Sequence, residues 1–140
     1  MTLKFVGNLF LGACIGQVFG QRIGAFIRCQ GDSMLPTFYN GDILWARVWD
    51  PNDGLRPGDV VCLVDPTNAN QYVLKRVSAV HENSRPSDPL AGRIEVRGDN
   101  ATNSVDSRDY GPVPAGLVCY RVSVRLFPLN RRRKIETAII

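Results

Sequence analysis

The sequence predicts a small, mostly antiparallel β domain with one transmembrane helix at its N-terminus. Three observations carry that expectation. From residue 43 onward, short apolar or alternating runs are punctuated by Gly, Pro, Asn and Asp, with little helical periodicity. Ahead of them, residues 3–27 are apolar on most sides. The whole chain is 140 residues, one domain by size and large enough for a real core.

Taken in order, residues 1–27 read as a membrane anchor. Leu3, Phe5, Val6, Leu9, Phe10, Leu11, Ile15, Val18, Phe19, Ile23, Phe26 and Ile27 make the segment apolar, and between Phe5 and Gln21 the polar side chains are Asn8, Gln17 and Gln21. That stretch as a helix is about 26 Å long, slightly under a hydrocarbon core of about 30 Å. Continuing to Ile27 gives enough length if Arg22 snorkels. Gly12, Gly16, Gly20 and Gly24 recur every fourth residue, a face that lets a second helix backbone approach closely. No convincing small-x-small cleavage site follows the apolar run. Lys4 on one side and Arg22 and Arg28 on the other leave orientation unsettled by charge.

Residues 28–128 read as the β domain. A strand is expected over 43–48, then a turn at 50–54, then Arg56-Pro57-Gly58-Asp59 leading into a buried strand over 60–64. A turn at 65–68 precedes a long strand over 72–80. A polar loop over 84–92, a short strand over 93–97 and a last strand over about 116–127 complete the domain. Many short strands joined by such turns indicate antiparallel pairing.

Residues 129–140 form a basic tail. The net charge of +4 is concentrated there: Arg131, Arg132, Arg133 and Lys134, offset by Glu136, leave the rest of the chain nearly neutral. A terminal patch of this kind, not a stripe across the fold, reads as a solvated end, the alternative being a contact for anionic lipid or nucleic acid, and no nucleic acid is expected as a partner. Cys14, Cys29, Cys62 and Cys119 lack a C-x-x-C pair and sit mostly among apolar neighbours, so they read as buried thiols. With one histidine in the chain, a Cys/His zinc site is disfavoured, and neither metal nor cofactor is expected.

Three clusters carry candidate chemistry. Gly31-Asp32-Ser33-Met34-Leu35-Pro36-Thr37 places a serine in a turn just after the apolar segment. In the strand over 72–80, alternation puts Val73, Lys75, Val77 and Ala79 on one face, with Arg76 on the other. Lys75 is then one charge on an apolar face: an edge-strand lysine set against aggregation, or a desolvated base. A lysine with a pKa near 10.4 is neutral in about one molecule in 2,500 at pH 7, a deficit of about 4.6 kcal/mol. Burial can lower such a pKa by about 3 to 5, removing most of that deficit. Serine–lysine pairs are an established nucleophile–base arrangement. The third cluster, from Gly98 to Arg108, is dense in turn formers: Asp106 and Arg108 can pair, and the Ser104 and Ser107 hydroxyls can orient a neutral amine. His81 shares the Lys75 face by parity but lies at the strand's far end beside Glu82, and reads as non-catalytic.

Four stretches in order, Ser33-Met34-Leu35-Pro36-Thr37, Arg56-Pro57-Gly58-Asp59-Val60-Val61, Lys75-Arg76-Val77, and Gly98-Asp99-Asn100 with Ser104-Val105-Asp106-Ser107-Arg108, resemble the boxes of type I signal peptidases. The likeness covers residues 28–128. Compact size, one anchor and Asp106-Ser107-Arg108-Asp109-Tyr110-Gly111-Pro112 are most similar to the mitochondrial inner membrane protease branch, subunit 1 type. About twenty residues between Lys75 and Gly98 leave no room for the second β domain of many bacterial members.

That resemblance implies a signal-peptidase-type β fold and a Ser–Lys endopeptidase. Ser33 is the implied nucleophile and Lys75 the implied base; Ser104 orients the lysine, Asp106 and Arg108 support the site, and Asp99 and Asn100 form its turn. Met34 and its neighbours are candidates for substrate contact. The Ser33 N–H is one oxyanion donor. Some members carry a donor serine two residues before the nucleophile; Gly31 stands there, and Asp32 is an acceptor, so the second donor is unassigned. The resemblance further implies precursor proteins bearing sorting peptides as substrates, a related protease subunit as partner, and a catalytic domain facing the intermembrane space from the inner membrane. The rival readings are a bacterial-type signal peptidase, a self-cleaving repressor-type protease, for which no helix-turn-helix pattern is found, and a non-catalytic β-barrel subunit.

Overall fold

In a computed structural model of the chain, residues 2–5, 24–81, 91–131 and 133–135 are described. Among the described residues, nine strands form one antiparallel sheet. They are β1 (Thr2–Phe5), β2 (Ala25–Gln30), β3 (Ile43–Val48), β4 (Val60–Asp65), β5 (Asn68–His81), β6 (Arg93–Arg97), β7 (Val113–Pro114), β8 (Val118–Phe127) and β9 (Arg133–Lys134). A four-residue helix, α1 (Ser107–Tyr110), lies between β6 and β7. The strand order is β1-β2-β3-β8-β4-β5-β6-β7, with β9 on β8. Thr2 of β1 also pairs with Val73 of β5, which closes the first six strands of that path into a small barrel.

The expected strands over 43–48 and 93–97 lie where the sequence puts them. β4 is apolar on both faces because both are covered. Val60 and Cys62 enter one core cluster with Ile27, Phe38 and Leu44, whereas Val61 and Leu63 enter a second with Val73, Val77, Ile94 and Val96. β5 is longer than its apolar run implies. Its polar start, Asn68 to Gln71, is carried into the ladder by a tight hairpin from β4 at Pro66-Thr67. Cys29 and Cys62 are buried free thiols, and burial pushes the Cys29 thiol up to about 12. Cys119 is only partly buried.

The expectation of one helix through 3–27 changes at both ends. Thr2–Phe5 and Ala25–Gln30 are strands paired with each other, Phe5 opposite Ile27. The alternation of Phe26, Ile27, Arg28 and Cys29 between exposed and buried is that of a half-buried strand. Gly24, assigned to the glycine face, instead takes φ +151° at the entry to β2. A Cβ there would meet the Ala46 carbonyl oxygen of β3, so strand approach requires glycine. Among the described residues no helix is long and apolar enough to cross a membrane. Residues 6–23, on which the anchor expectation mainly falls, lie outside the described residues, as do Gly12, Gly16, Gly20 and Cys14. The expected loop over 84–92 lies mostly outside them too.

Candidate active site

Lys75 is held in the middle of the sheet, not at an edge. β4 flanks β5 on one side, with Val61 opposite Lys75, and on the other side Arg76 pairs with Arg97 of β6. The lysine side chain shares the face of Val73 and Val77 and is 3% exposed. Burial lowers its pKa from the ordinary value near 10.5. Asp106, the largest opposing influence, raises it, and Arg108 lowers it. The Nζ donates to the Ser104 hydroxyl at 2.7 Å.

Ser104 donates its hydroxyl hydrogen bond to Asp106 at 2.8 Å, which leaves its oxygen as an acceptor toward the lysine. Asp106 is fully buried and its carboxylate is heavily engaged. It accepts from Gly98 N–H at 2.8 Å, from Arg108 Nε at 2.8 Å and Nη2 at 2.6 Å, and from Arg108 N–H at 3.2 Å. Burial by itself would raise this carboxyl's pKa. The hydrogen bonds from Arg108, Gly98 and Ser104 outweigh it and hold the group well below the usual carboxylate range. The local fold follows from the same residue. Asp106 caps α1, Asp109 returns a bond to the Asp106 N–H at 2.9 Å, and Gly111 at φ +79° ends the turn. Ser107, the other hydroxyl considered for the amine, instead accepts from the Val96 N–H and ties α1 to β6.

Ser33 is 5% exposed and lies beneath the turn that begins at Gly98. The Asn100 N–H donates to the Ser33 carbonyl at 2.9 Å. A Cβ on Gly98 would collide with Ser104 Oγ and stand 2.6 Å from the Ser33 carbonyl oxygen. Gly98 is therefore the point where the serine turn, the Ser104 hydroxyl and, through it, Lys75 come together, and a methyl group would force them apart. Met34, in the same turn, is fully buried in the core with Phe38 and Leu44.

Asp99 faces away from the amine. Its carboxylate receives Arg76 Nε at 2.8 Å and Nη2 at 2.7 Å, together with the Thr37 hydroxyl. Arg76 also donates to the Gly58 carbonyl at 2.9 Å. The strand thus uses both faces at consecutive positions. Lys75 enters the site, and Arg76 clamps the two loops that frame it.

Known proteins are similar to this chain over most of its length. No protein-family model matches the chain. Mitochondrial inner membrane protease subunit 1 of Homo sapiens is 32% identical over 142 residues, covering 92% of this chain and 85% of that protein. The chain belongs to the mitochondrial inner membrane protease family. Other members of the family include the mitochondrial ATP-independent inner membrane protease subunit 1b of Arabidopsis thaliana, 34% identical over 90% of this chain and 82% of its own length. Subunit 2 of Mus musculus is 29% identical over 96% of this chain and 85% of its own. The likeness to the subunit 1 type read from the boxes holds across several members.

Within this family member, the structure joins Lys75, Ser104, Asp106 and Arg108 into one hydrogen-bonded chain and sets Ser33 and Asn100 against it through Gly98. Asp99 belongs to a separate clamp. Thr37 and Arg76 are the residues that sequence reasoning passed over. An arginine beside the lysine, on the opposite face of the same strand, was the available signal.

Proposed function

We propose that the chain is a Ser–Lys endopeptidase subunit of the mitochondrial inner membrane that removes sorting peptides from precursor proteins. In this reading its catalytic domain faces the intermembrane space and a related subunit is its partner. The observation that carries the chemistry is Lys75: a buried amine, its pKa lowered by desolvation, with one N–H committed to Ser104. A neutral lysine so held keeps its lone pair for another partner, and we assign that partner as the hydroxyl of Ser33, whose backbone carbonyl lies under the same Gly98 turn.

The steps follow from that arrangement. Ser33 Oγ attacks the scissile carbonyl carbon as its proton passes to Lys75 Nζ, and the oxyanion forms against the Ser33 N–H. Collapse breaks the C–N bond, and the lysine returns the proton to the leaving amine. A water deprotonated by the same lysine then attacks the ester carbon, and collapse of that second intermediate breaks the C–O bond to Ser33 Oγ, which takes back the proton from the lysine as the acid leaves. The resulting ammonium is stabilised by Ser104 and by the ionised Asp106 behind it, whose charge Arg108 keeps in place at low pH.

The test is processing of a precursor in membranes carrying wild-type chain, Ser33→Ala or Lys75→Ala. Each substitution is expected to abolish cleavage while the protein stays folded and membrane-bound. Normal processing by both variants refutes the enzyme reading.

A further inference from the structure

We propose that Asn100 is a positioning residue that aims the Ser33 N–H at the developing oxyanion, a role that rests on Ser33 being the nucleophile. Asn100 grips both peptide groups that flank the Ser33 Cα. Its side-chain Nδ2 donates to the Asp32 carbonyl at 3.1 Å, and its backbone N–H donates to the Ser33 carbonyl at 2.9 Å. The Asp32–Ser33 peptide is trans, so its C=O and N–H point in opposite directions. Fixing the carbonyl on Asn100 therefore fixes the direction of the Ser33 N–H on the other side. The Leu35 N–H holds the same carbonyl at 3.1 Å.

The orientation of the Asn100 amide is itself determined. Its Oδ1 accepts the Thr102 hydroxyl at 2.9 Å, which turns Nδ2 toward Asp32. The turn that carries Asn100 is pinned by Asp99 on Arg76 and Thr37, so the grip has a fixed base. Position 31 is glycine and offers no side-chain donor, and Asp32 is an acceptor, so the aim of the Ser33 N–H matters more here than where a neighbouring hydroxyl helps.

The experiment uses the full-length chain with its membrane partner in detergent, a fluorogenic peptide cleaved by wild type, and a peptide aldehyde of the same sequence, whose hemiacetal oxygen occupies the oxyanion position. Removing an oxyanion donor outright costs about 100- to 1,000-fold in kcat, and misaiming one should cost less. Asn100→Ala is expected to lower kcat by about 10- to 100-fold, with KM within about twofold. Aldehyde affinity should fall in parallel, and the acid limb of the pH–rate profile should stay in place. Thr102→Val should give the same pattern at several-fold. Unchanged kcat, a loss confined to KM, or a moved acid limb overturns the proposal. If Asn100→Ala does not fold, Thr102→Val decides by the same criteria. Ser33→Ala and Lys75→Ala run alongside as controls. If both are active, the Ser–Lys reading falls and this role with it; if both are dead and Asn100→Ala is not impaired, only this role falls.

Discussion

Two buried aspartates are each held by arginine, and their networks end on different kinds of group. Asp106 is bonded by Arg108 and reaches, through Ser104, an amine whose burial favours its neutral form. Asp42, equally buried, takes Arg125 at 3.1 Å and Arg131 at 3.4 Å and is bonded by the Tyr39 N–H at 3.0 Å. Arg125 passes on to two backbone carbonyls, Thr37 at 2.7 Å and Arg131 at 2.8 Å. The Asp42 network therefore fixes the chain that follows the serine and ties it to the C-terminal turn. The Asp106 network fixes a proton. Similar charges build a scaffold when they end on carbonyls and a reactive group when they end on a desolvated amine.

Neutralising each aspartate separates the two roles. Asp106→Asn keeps the shape but supplies N–H groups where Ser104 and Arg108 need an acceptor, so the Ser104 proton turns toward the lysine lone pair. The expected loss in kcat is about 100-fold or more, the scale of a displaced general base. Asp42→Ala should act on stability instead. Removing one partner of a buried ion pair costs about 3 to 5 kcal/mol, and the value here falls near the lower end because Arg131 can turn to solvent. A thermal melt of the detergent-solubilised protein should fall by about 10 °C. At temperatures where the variant stays folded, kcat should remain within a few-fold of wild type. A variant pair with the two effects interchanged would break the distinction.

The pH profile sharpens it further. Lys75 acts as base only when neutral, so kcat/KM should rise with pH along a limb lying below the ordinary lysine value near 10.5. Asp106 raises the lysine pKa and Arg108 lowers it. Asp106→Asn should therefore move the limb to lower pH, and Arg108→Gln to higher pH, while Asp42→Asn leaves it in place. The residual rates of these variants suffice to locate a limb. Movement in the same direction for both site variants would contradict the assignment of Lys75 as base.

Much of this division was legible in the sequence, and the illegible parts share a cause. Alternation in the strand set Lys75 apart on an apolar face, and the Asp106–Arg108 spacing announced a local pair, because strand parity and a two-residue offset are short-range facts. The contacts of Arg76 with Asp99 and Thr37, and of Arg125 with Asp42, join residues brought close only by the sheet order. No periodicity encodes them. Gly98 looked like an ordinary turn glycine, and only the crossing of two loops reveals that it is the space between Ser33 and Ser104. At the N-terminus the apolar run masked two strands, since hydrophobicity says little about whether its ends pair with a sheet.

His81 gives the smallest expected effect and a sensitive control on how far the site extends. By strict alternation it shares the Lys75 face, yet the β5–β6 register shifts between Val77 and Ala79. His81 ends the strand opposite Arg93, with its Nε2 3.4 Å from Glu95 across the ladder. Both side chains are about a quarter exposed, so the pair is worth under about 1 kcal/mol and makes no link in the chain from Arg108 to Lys75. His81→Ala should leave kcat and KM within about twofold of wild type and the acid limb unmoved. Loss of cleavage in that variant, with Lys75→Ala still active, would transfer the base from the lysine to the histidine and return the Asp106 network to the same structural standing as that of Asp42.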